Sequence, residues 1–290
     1  MDILVNGILL GLGYCLVGVG VSLILGVAKV FDLAYASYYT IAAYAVVTLI
    51  QYMGPAMPIG IIFLIAIGIA VGFSVVTHFF FILPVRKQGT TVMVMTIAIA
   101  MVIQELLIFK DGSEPIHLPS ILKGTSVLFG VWTSNQKILV GGVTVAIMAL
   151  LWLFFAKTKL GLAIRATADQ PEAIQLSGGS IRNVCLASGM LAAVVAGIGG
   201  IALGPIYPPH PYAWLDLLII AFAVIVLGGL GNIWGCLPAG LILGVSEVGF
   251  AIYVPMGGII KRSVGLMIIL LVLAFKPTGI MGVKGWEEEA

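Results

Sequence analysis

Charge is what this sequence has least of. Only 9% of its 290 residues are Asp, Glu, Lys or Arg, against about 25% in soluble domains. Hydrophobic residues make up 61%, and the mean hydropathy is +1.19. A surface so poor in charge could not be held in water, which excludes a soluble domain and implies a polytopic protein facing a lipid bilayer. No basic stripe interleaves with aromatics, and a net charge of +2 gives nucleic-acid binding no support. Cysteine is scarce too. Cys15, Cys185 and Cys236 lie far apart in apolar runs with no CxxC pair, which excludes a disulfide framework and leaves them as small packing residues.

Catalytic signatures are also missing. There is no GxSxG, no HExxH and no cluster of metal ligands, and His78, His117 and His210 are scattered. No glycine is followed by lysine anywhere, so a phosphate-binding loop cannot be written. The chain is expected to be no enzyme and to bind no cofactor of its own. If nucleotide hydrolysis drives it, another polypeptide performs the hydrolysis.

What is abundant is apolar run. A bilayer-crossing helix needs about 20 mostly apolar residues, and on that ruler spans fall near 3–28, 35–53, 58–83, 91–109, 138–156, 184–204, 214–230, 235–254 and 259–275. The first run, which starts without a positive n-region, reads as a retained span. Alternating ten-residue segments of a barrel are absent, so the fold is expected to be all-α, with about 8–9 transmembrane helices in a single domain, 1–290. Leu227-Gly228-Gly229-Leu230-Gly231-Asn232 interrupts the seventh and eighth runs, so the region near 227–235 is expected to be broken or re-entrant.

Thirty-seven glycines include GxxxG spacings at Gly7/Gly11, Gly68/Gly72, Gly200/Gly204, Gly231/Gly235 and Gly240/Gly244. Small residues let membrane helices approach closely, within one bundle or at a dimer face. Lys29, Arg86, Lys87, Lys157, Lys159, Arg165, Arg182, Lys276 and Lys284 face the cytoplasm if the N-terminus is outside. Lys110, Lys123, Lys137, Lys261 and Arg262 then face outward, which satisfies the positive-inside bias. Segment 110–137 becomes the main external loop, and 157–182 a cytoplasmic one.

Strongly polar groups within the spans are His78, Gln104, Glu105 and Glu247. Such groups are costly in hydrocarbon and face a cavity or a partner. Glu247, near the middle of its span, either lines a pathway or pairs with a neighbouring helix; Glu105 stands close enough to an end to reach the interface. In the 157–182 loop, Asp169 and Glu172 form a capping-box pattern, Pro171 suits a first turn, and Gly178-Gly179 supplies a stop. A short helix over 170–177 follows, presenting Ala173, Ile174 and Leu176 to a soluble partner or to lipid headgroups.

The loop sequence GLAIRATADQPEAIQLSGGSIRNV resembles the coupling segment of permeases of branched-chain amino acid ABC importers. Gly161, Arg165, Ala166, Ala168, Pro171, Glu172, Ala173 and Gly178 stand in register with that family's pattern. Leu83-Pro84-Val85-Arg86 resembles its R-P-L-R turn, Phe222–Gly235 its glycine-rich segment, and Phe275–Gly282 its C-terminal R-P-x-G-L-x-G. The likeness spans essentially the whole chain. It implies a permease subunit in the cytoplasmic membrane of a bacterium or archaeon, working by alternating access and carrying branched-chain or related small amino acids. Its implied partners are a second permease (paralogue or self), two cytoplasmic ABC ATPases that use the ATP, and an extracytoplasmic substrate-binding protein.

By the same resemblance, the ATPase-coupling residues are Gly161, Arg165, Ala166, Asp169, Glu172, Ala173, Leu176 and Gly178. The pathway candidates are Tyr35, Ser37, Tyr44, Glu105, Gly228, Gly229, Gly231 and Glu247. One departure falls among them: where the family has N-[FL]-A-H-G-x-x-Y-x-x-G-A-Y, this chain reads Asp32-Leu33-Ala34-Tyr35-Ala36 onward, with Ala42 in place of a glycine. Relatives that carry urea or short amides keep those cargoes open. An ion-coupled secondary transporter would rest on Glu247 and the 227–232 break, and a passive channel is a weaker alternative.

Overall fold

The computed structural model describes residues 1–54, 57–86, 88–128, 130–169, 180–253, 265–272, 274, 276 and 279–282. Helices dominate: α1 Asp2–Ala28, α2 Tyr35–Met53, α3 Ile59–Val85, α4 Gly89–Asp111, α5 Asn135–Lys157, α6 Lys159–Asp169, α7 Ile181–Leu203, α8 Ala213–Gly228 and α9 Cys236–Tyr253. Residues 265–272 are also helical. Of these, α1, α3, α4, α5, α7 and α9 are long and apolar enough to cross a membrane. The chain is a polytopic, all but wholly helical membrane protein. The first eight expected spans agree with these helices to within three residues at each end, and the ninth lies partly outside the described residues.

Helix α2 is the least apolar of the long ones, and the structure explains why it can be. Its residues from Tyr35 to Tyr44 are almost all buried among other helices, so its hydroxyls meet protein rather than lipid. At 16 residues α8 is about 24 Å long, short of the ~30 Å hydrocarbon core, and the 229–235 turn follows it.

The α1–α9 contact organises the bundle. The two helices run antiparallel, Gly7 against Val245 and Gly11 against Gly240. A Cβ on Gly11 would stand 2.5 Å from the Gly240 carbonyl oxygen, so two of the GxxxG pairs form one crossing. Gly200 lies on the Tyr39 backbone and Gly204 against Leu118, whereas Gly68 and Gly72 on α3 have nothing within 4 Å. The same spacing thus serves packing at some sites and an open helix face at another.

Two structured departures enter the connections. Within the expected 110–137 loop, β1 Thr125–Leu128 and β2 Val131–Ser134 pair antiparallel, with Thr125 opposite Ser134 and a turn through Gly130 at φ 82°. Alternating Val127/Trp132 and Thr133 side chains suit such a ribbon. Second, residues 159–169 of the expected inner loop are helical. The Thr158 hydroxyl accepts the Gly161 N–H at 2.9 Å, and Ile164 and Thr167 are buried one turn apart.

One face of the bundle gathers the α1 N-terminus, the 112–134 connection and the 204–212 connection: Ile116 N–H donates to Pro209 C=O at 2.9 Å and Lys137 Nζ to Asn6 Oδ1 at 3.2 Å. The opposite face gathers 29–34, Arg86, Thr158 and the 229–235 turn. There Arg86 donates from Nε to Ala28 C=O at 3.1 Å and from Nη2 to Val27 C=O at 3.4 Å, satisfying carbonyls that the end of α1 leaves open.

Candidate functional site

A cavity of about 720 Å³ opens at the N-terminal face. Its mouth is made by Glu114 and His117 from one connection and by Pro208–His210 from another, with Asp216 at the start of α8. His210 Nε2 stands 3.6 Å from Asp216 Oδ2. Apolar walls come from Val17, Leu203, Leu217, Ile220, Ala223 and Leu243. Polar side chains from three helices and one connection line it deeper in: Tyr14 on α1, Tyr39 on α2, Glu247 on α9 and Tyr207. The Tyr14 hydroxyl donates to Glu247 Oε2, and Glu247 is only 9% exposed. The Tyr39 hydroxyl is buried and has no hydrogen-bond partner among the described residues.

A second buried polar group lies toward the opposite face. The 29–34 connection folds back between the helices and buries Asp32. Its Oδ1 accepts the Ala34 N–H at 2.9 Å, its Oδ2 accepts the Tyr38 hydroxyl at 3.1 Å, and His78 Nε2 stands 3.9 Å from Oδ2. Burial pushes the Asp32 carboxyl above the usual carboxylate range; His78, the Tyr38 hydroxyl and two backbone N–H groups pull the other way. His78 lies in the π turn Thr77–Ile82, and the Ser74 hydroxyl beside it donates to Gly189 C=O at 3.0 Å. The cluster ties the first connection, α2, α3 and α7 together.

The glycine-rich break forms a tight turn at this same face. Gly229 has φ 109° and Gly231 φ 74°, and Asn232 Oδ1 accepts the Trp234 N–H at 3.0 Å. The C-terminal segment seals it: Ile280 N–H donates to Leu227 C=O at 2.8 Å, Met281 N–H to Gly228 C=O at 3.0 Å, and Asn232 Nδ2 to Met281 C=O at 2.8 Å. Helix α6 lies beside this turn, with Gly161 seated on the Phe154–Phe155 backbone. Leu160, Leu162, Arg165 and Ala166 are exposed, and Arg165 borders a cleft of about 400 Å³ with Trp152, Phe155, Ala156 and Trp234.

The pathway candidates are therefore not gathered in one place. Glu247 lines the cavity. Tyr35, Ser37 and Tyr44 are buried inside the bundle, Tyr35 against Gly20, and it is their neighbour Tyr39 that reaches the cavity. Gly228, Gly229 and Gly231 shape the turn at the far face, and Glu105 is exposed on α4, accepting from Gln104 Nε2 at 3.2 Å. Of the coupling candidates, Gly161, Arg165, Ala166 and Asp169 belong to α6, with Asp169 as its last residue. Glu172, Ala173, Leu176 and Gly178, and with them the 170–177 helix, lie outside the described residues.

Sequence reasoning did not single out Tyr14, Tyr39, Tyr207 or Asp32. Each is an ordinary residue locally; a hydroxyl that meets a carboxylate of another span carries no spacing signal. Among the described residues, no three His, Cys, Asp or Glu side chains come together to hold a metal.

A family model described as "Branched-chain amino acid transport system / permease component" matches residues 3–275. The chain belongs to this family. It is 30% identical to the high-affinity branched-chain amino acid transport system permease protein BraD of Pseudomonas aeruginosa, over 96% of this permease and 94% of the relative. It is 28% identical to the LivH permease protein of Salmonella typhimurium at the same coverages, and 28% identical to a probable LivH permease of Methanocaldococcus jannaschii over 94% and 89%. A solved structure of PsaBC from Streptococcus pneumoniae in complex with Fab aligns with a TM-score of 0.49 at 12% identity, covering 94% of this permease and 91% of that chain. The permease is a multi-pass transport subunit of the membrane.

Proposed function

We propose that this permease moves branched-chain or related small amino acids inward across the cytoplasmic membrane, with ATP hydrolysed by partner subunits. The family match over residues 3–275 carries the reading. The N-terminal face is external and the α6 face cytoplasmic, because Lys29, Arg86, Lys157, Lys159, Arg165, Arg182 and Lys276 lie toward the latter and only Lys110, Lys123 and Lys137 of the described basic residues toward the former. The cavity is then the external vestibule, loaded by a binding protein.

On the inner side, the exposed Leu160, Leu162 and Arg165, with Trp152 and Trp234 nearby, suit a soluble ATPase. Two ATPases and a second permease, the same chain or a paralogue, complete the assembly. The 157–182 segment transmits ATPase closure to the helices, so Glu172→Arg should leave insertion intact while separating hydrolysis from uptake.

Mild-detergent co-purification combined with uptake assays tests the reading. ATPase and second-permease partners should be recovered, and leucine uptake should stop on ATP depletion while surviving an ionophore. A chain that purifies alone, with uptake that follows the ion gradient, would replace the importer with a secondary transporter. Normal uptake by Glu172→Arg would remove the coupling role.

A further inference from the structure

Resting on that import reading, we infer that Glu247 and Tyr39 form the seat for the ammonium group of the cargo at the inner end of the vestibule. Two independent observations carry this. Glu247 is a carboxylate in the middle of a membrane span that is turned into a cavity, with Tyr14 holding one oxygen by a hydrogen bond. Tyr39 lines the same cavity, and its buried hydroxyl has no hydrogen-bond partner among the described residues. A buried hydroxyl without a partner is a costly exception in a folded protein, and on a residue that lines a cavity also lined by a carboxylate a donor entering from that cavity would complete it.

A primary ammonium suits both groups. Its three N–H donors supply a charge-assisted bond to Glu247 and a neutral one to Tyr39, while the aromatic faces of Tyr14 and Tyr207 attract the cation. The apolar wall, Ile220 among it, takes an aliphatic side chain, and the carboxylate of an amino acid is left toward the mouth beside His210. The seat thus selects aliphatic compounds bearing an amine, entering with the amine first. An aliphatic acid without the amine would leave the Tyr39 hydroxyl without its donor and bring a second carboxylate up to Glu247.

The test uses the permease in its native membrane, with Ile220→Cys as a reporter inside the cavity and a charged methanethiosulfonate reagent as label. The native Cys15, Cys185 and Cys236 are buried. L-Leucine and isoamylamine should slow labelling, and 4-methylpentanoate should not. Glu247→Gln, which keeps an oxygen for Tyr14, should raise the half-protecting concentration of both amines about tenfold or more, and Tyr39→Phe by a smaller factor. Equal protection by 4-methylpentanoate, protection unchanged in Glu247→Gln, or no protection at all would overturn the seat. ATP-driven leucine uptake separates the two readings. Cells carrying the Ile220→Cys permease with Glu247 and Tyr39 intact that protect the cysteine yet show no such uptake would sink the import reading alone, and undiminished uptake by Glu247→Gln would sink the seat alone.

Discussion

The imidazole of His78 fills the space in which a Cβ on Gly189 would stand, 2.6 Å from its Nε2. The glycine of α7 is therefore what lets α3 bring His78 up to Asp32. Gly189→Ala should destabilise the protein by about 1–3 kcal/mol through overpacking, read as a lower melting temperature in detergent. His78→Ser in the same chain should restore much of that loss. Additive losses would show that the two sites are independent.

Arg86 holds the end of α1 with two hydrogen bonds to backbone carbonyls. Arg86→Ala should cost about 1–3 kcal/mol, since it leaves those carbonyls without their charged donor. Arg86→Lys should recover only part, because an ammonium lacks the planar fork that spans two acceptors. Thermal unfolding of the two variants ranks them, and equal stability of Arg86→Ala and wild type would contradict the closing role.

Glycine spacing should divide by location. Gly240→Leu drives a side chain into the backbone of α1 around Gly11 and Cys15, so it should abolish the monodisperse peak in size-exclusion chromatography. Gly68→Leu meets open space on α3 and should leave that peak in place. Equal tolerance at both positions would refute the α1–α9 crossing.

The turn at Gly229 depends on φ 109° and on the approach of Gly282, whose N would lie 2.5 Å from an added Cβ. Gly229→Ala should cost about 1–3 kcal/mol from the backbone conformation alone and loosen the 279–282 segment. Faster proteolysis near the C-terminus in this variant is the expected sign.

Arg165 is exposed at the inner cleft, and among the described residues it forms no ion pair with an acidic group. Arg165→Glu should leave folding unchanged, within about 0.5 kcal/mol, while lowering the recovery of ATPase on the tagged permease. Undiminished recovery would move the docking surface elsewhere.

The sequence by itself determined the class and most of the helices. Apolar runs of 18 residues or more have one use in lipid, because every backbone group must be satisfied within the segment. Glu247 was legible for a related reason: a carboxylate in hydrocarbon is too costly to stand there without a cavity or a partner. Likewise, the glycine turn at 227–235 is a local property, whereas helix α6 over 159–169 falls within an expected loop and the expected 170–177 helix lies outside the described residues. Tertiary structure decided what those residues meet. Tyr14 and Glu247 are 233 positions apart, Asp32 reaches His78 only because the first connection folds back, and Gly11 finds Gly240 only where α1 and α9 cross. Contacts of that kind depend on which helix faces come together, and small-residue spacing is identical at the α1–α9 crossing and on the open face of α3. Only the assembled bundle distinguishes them.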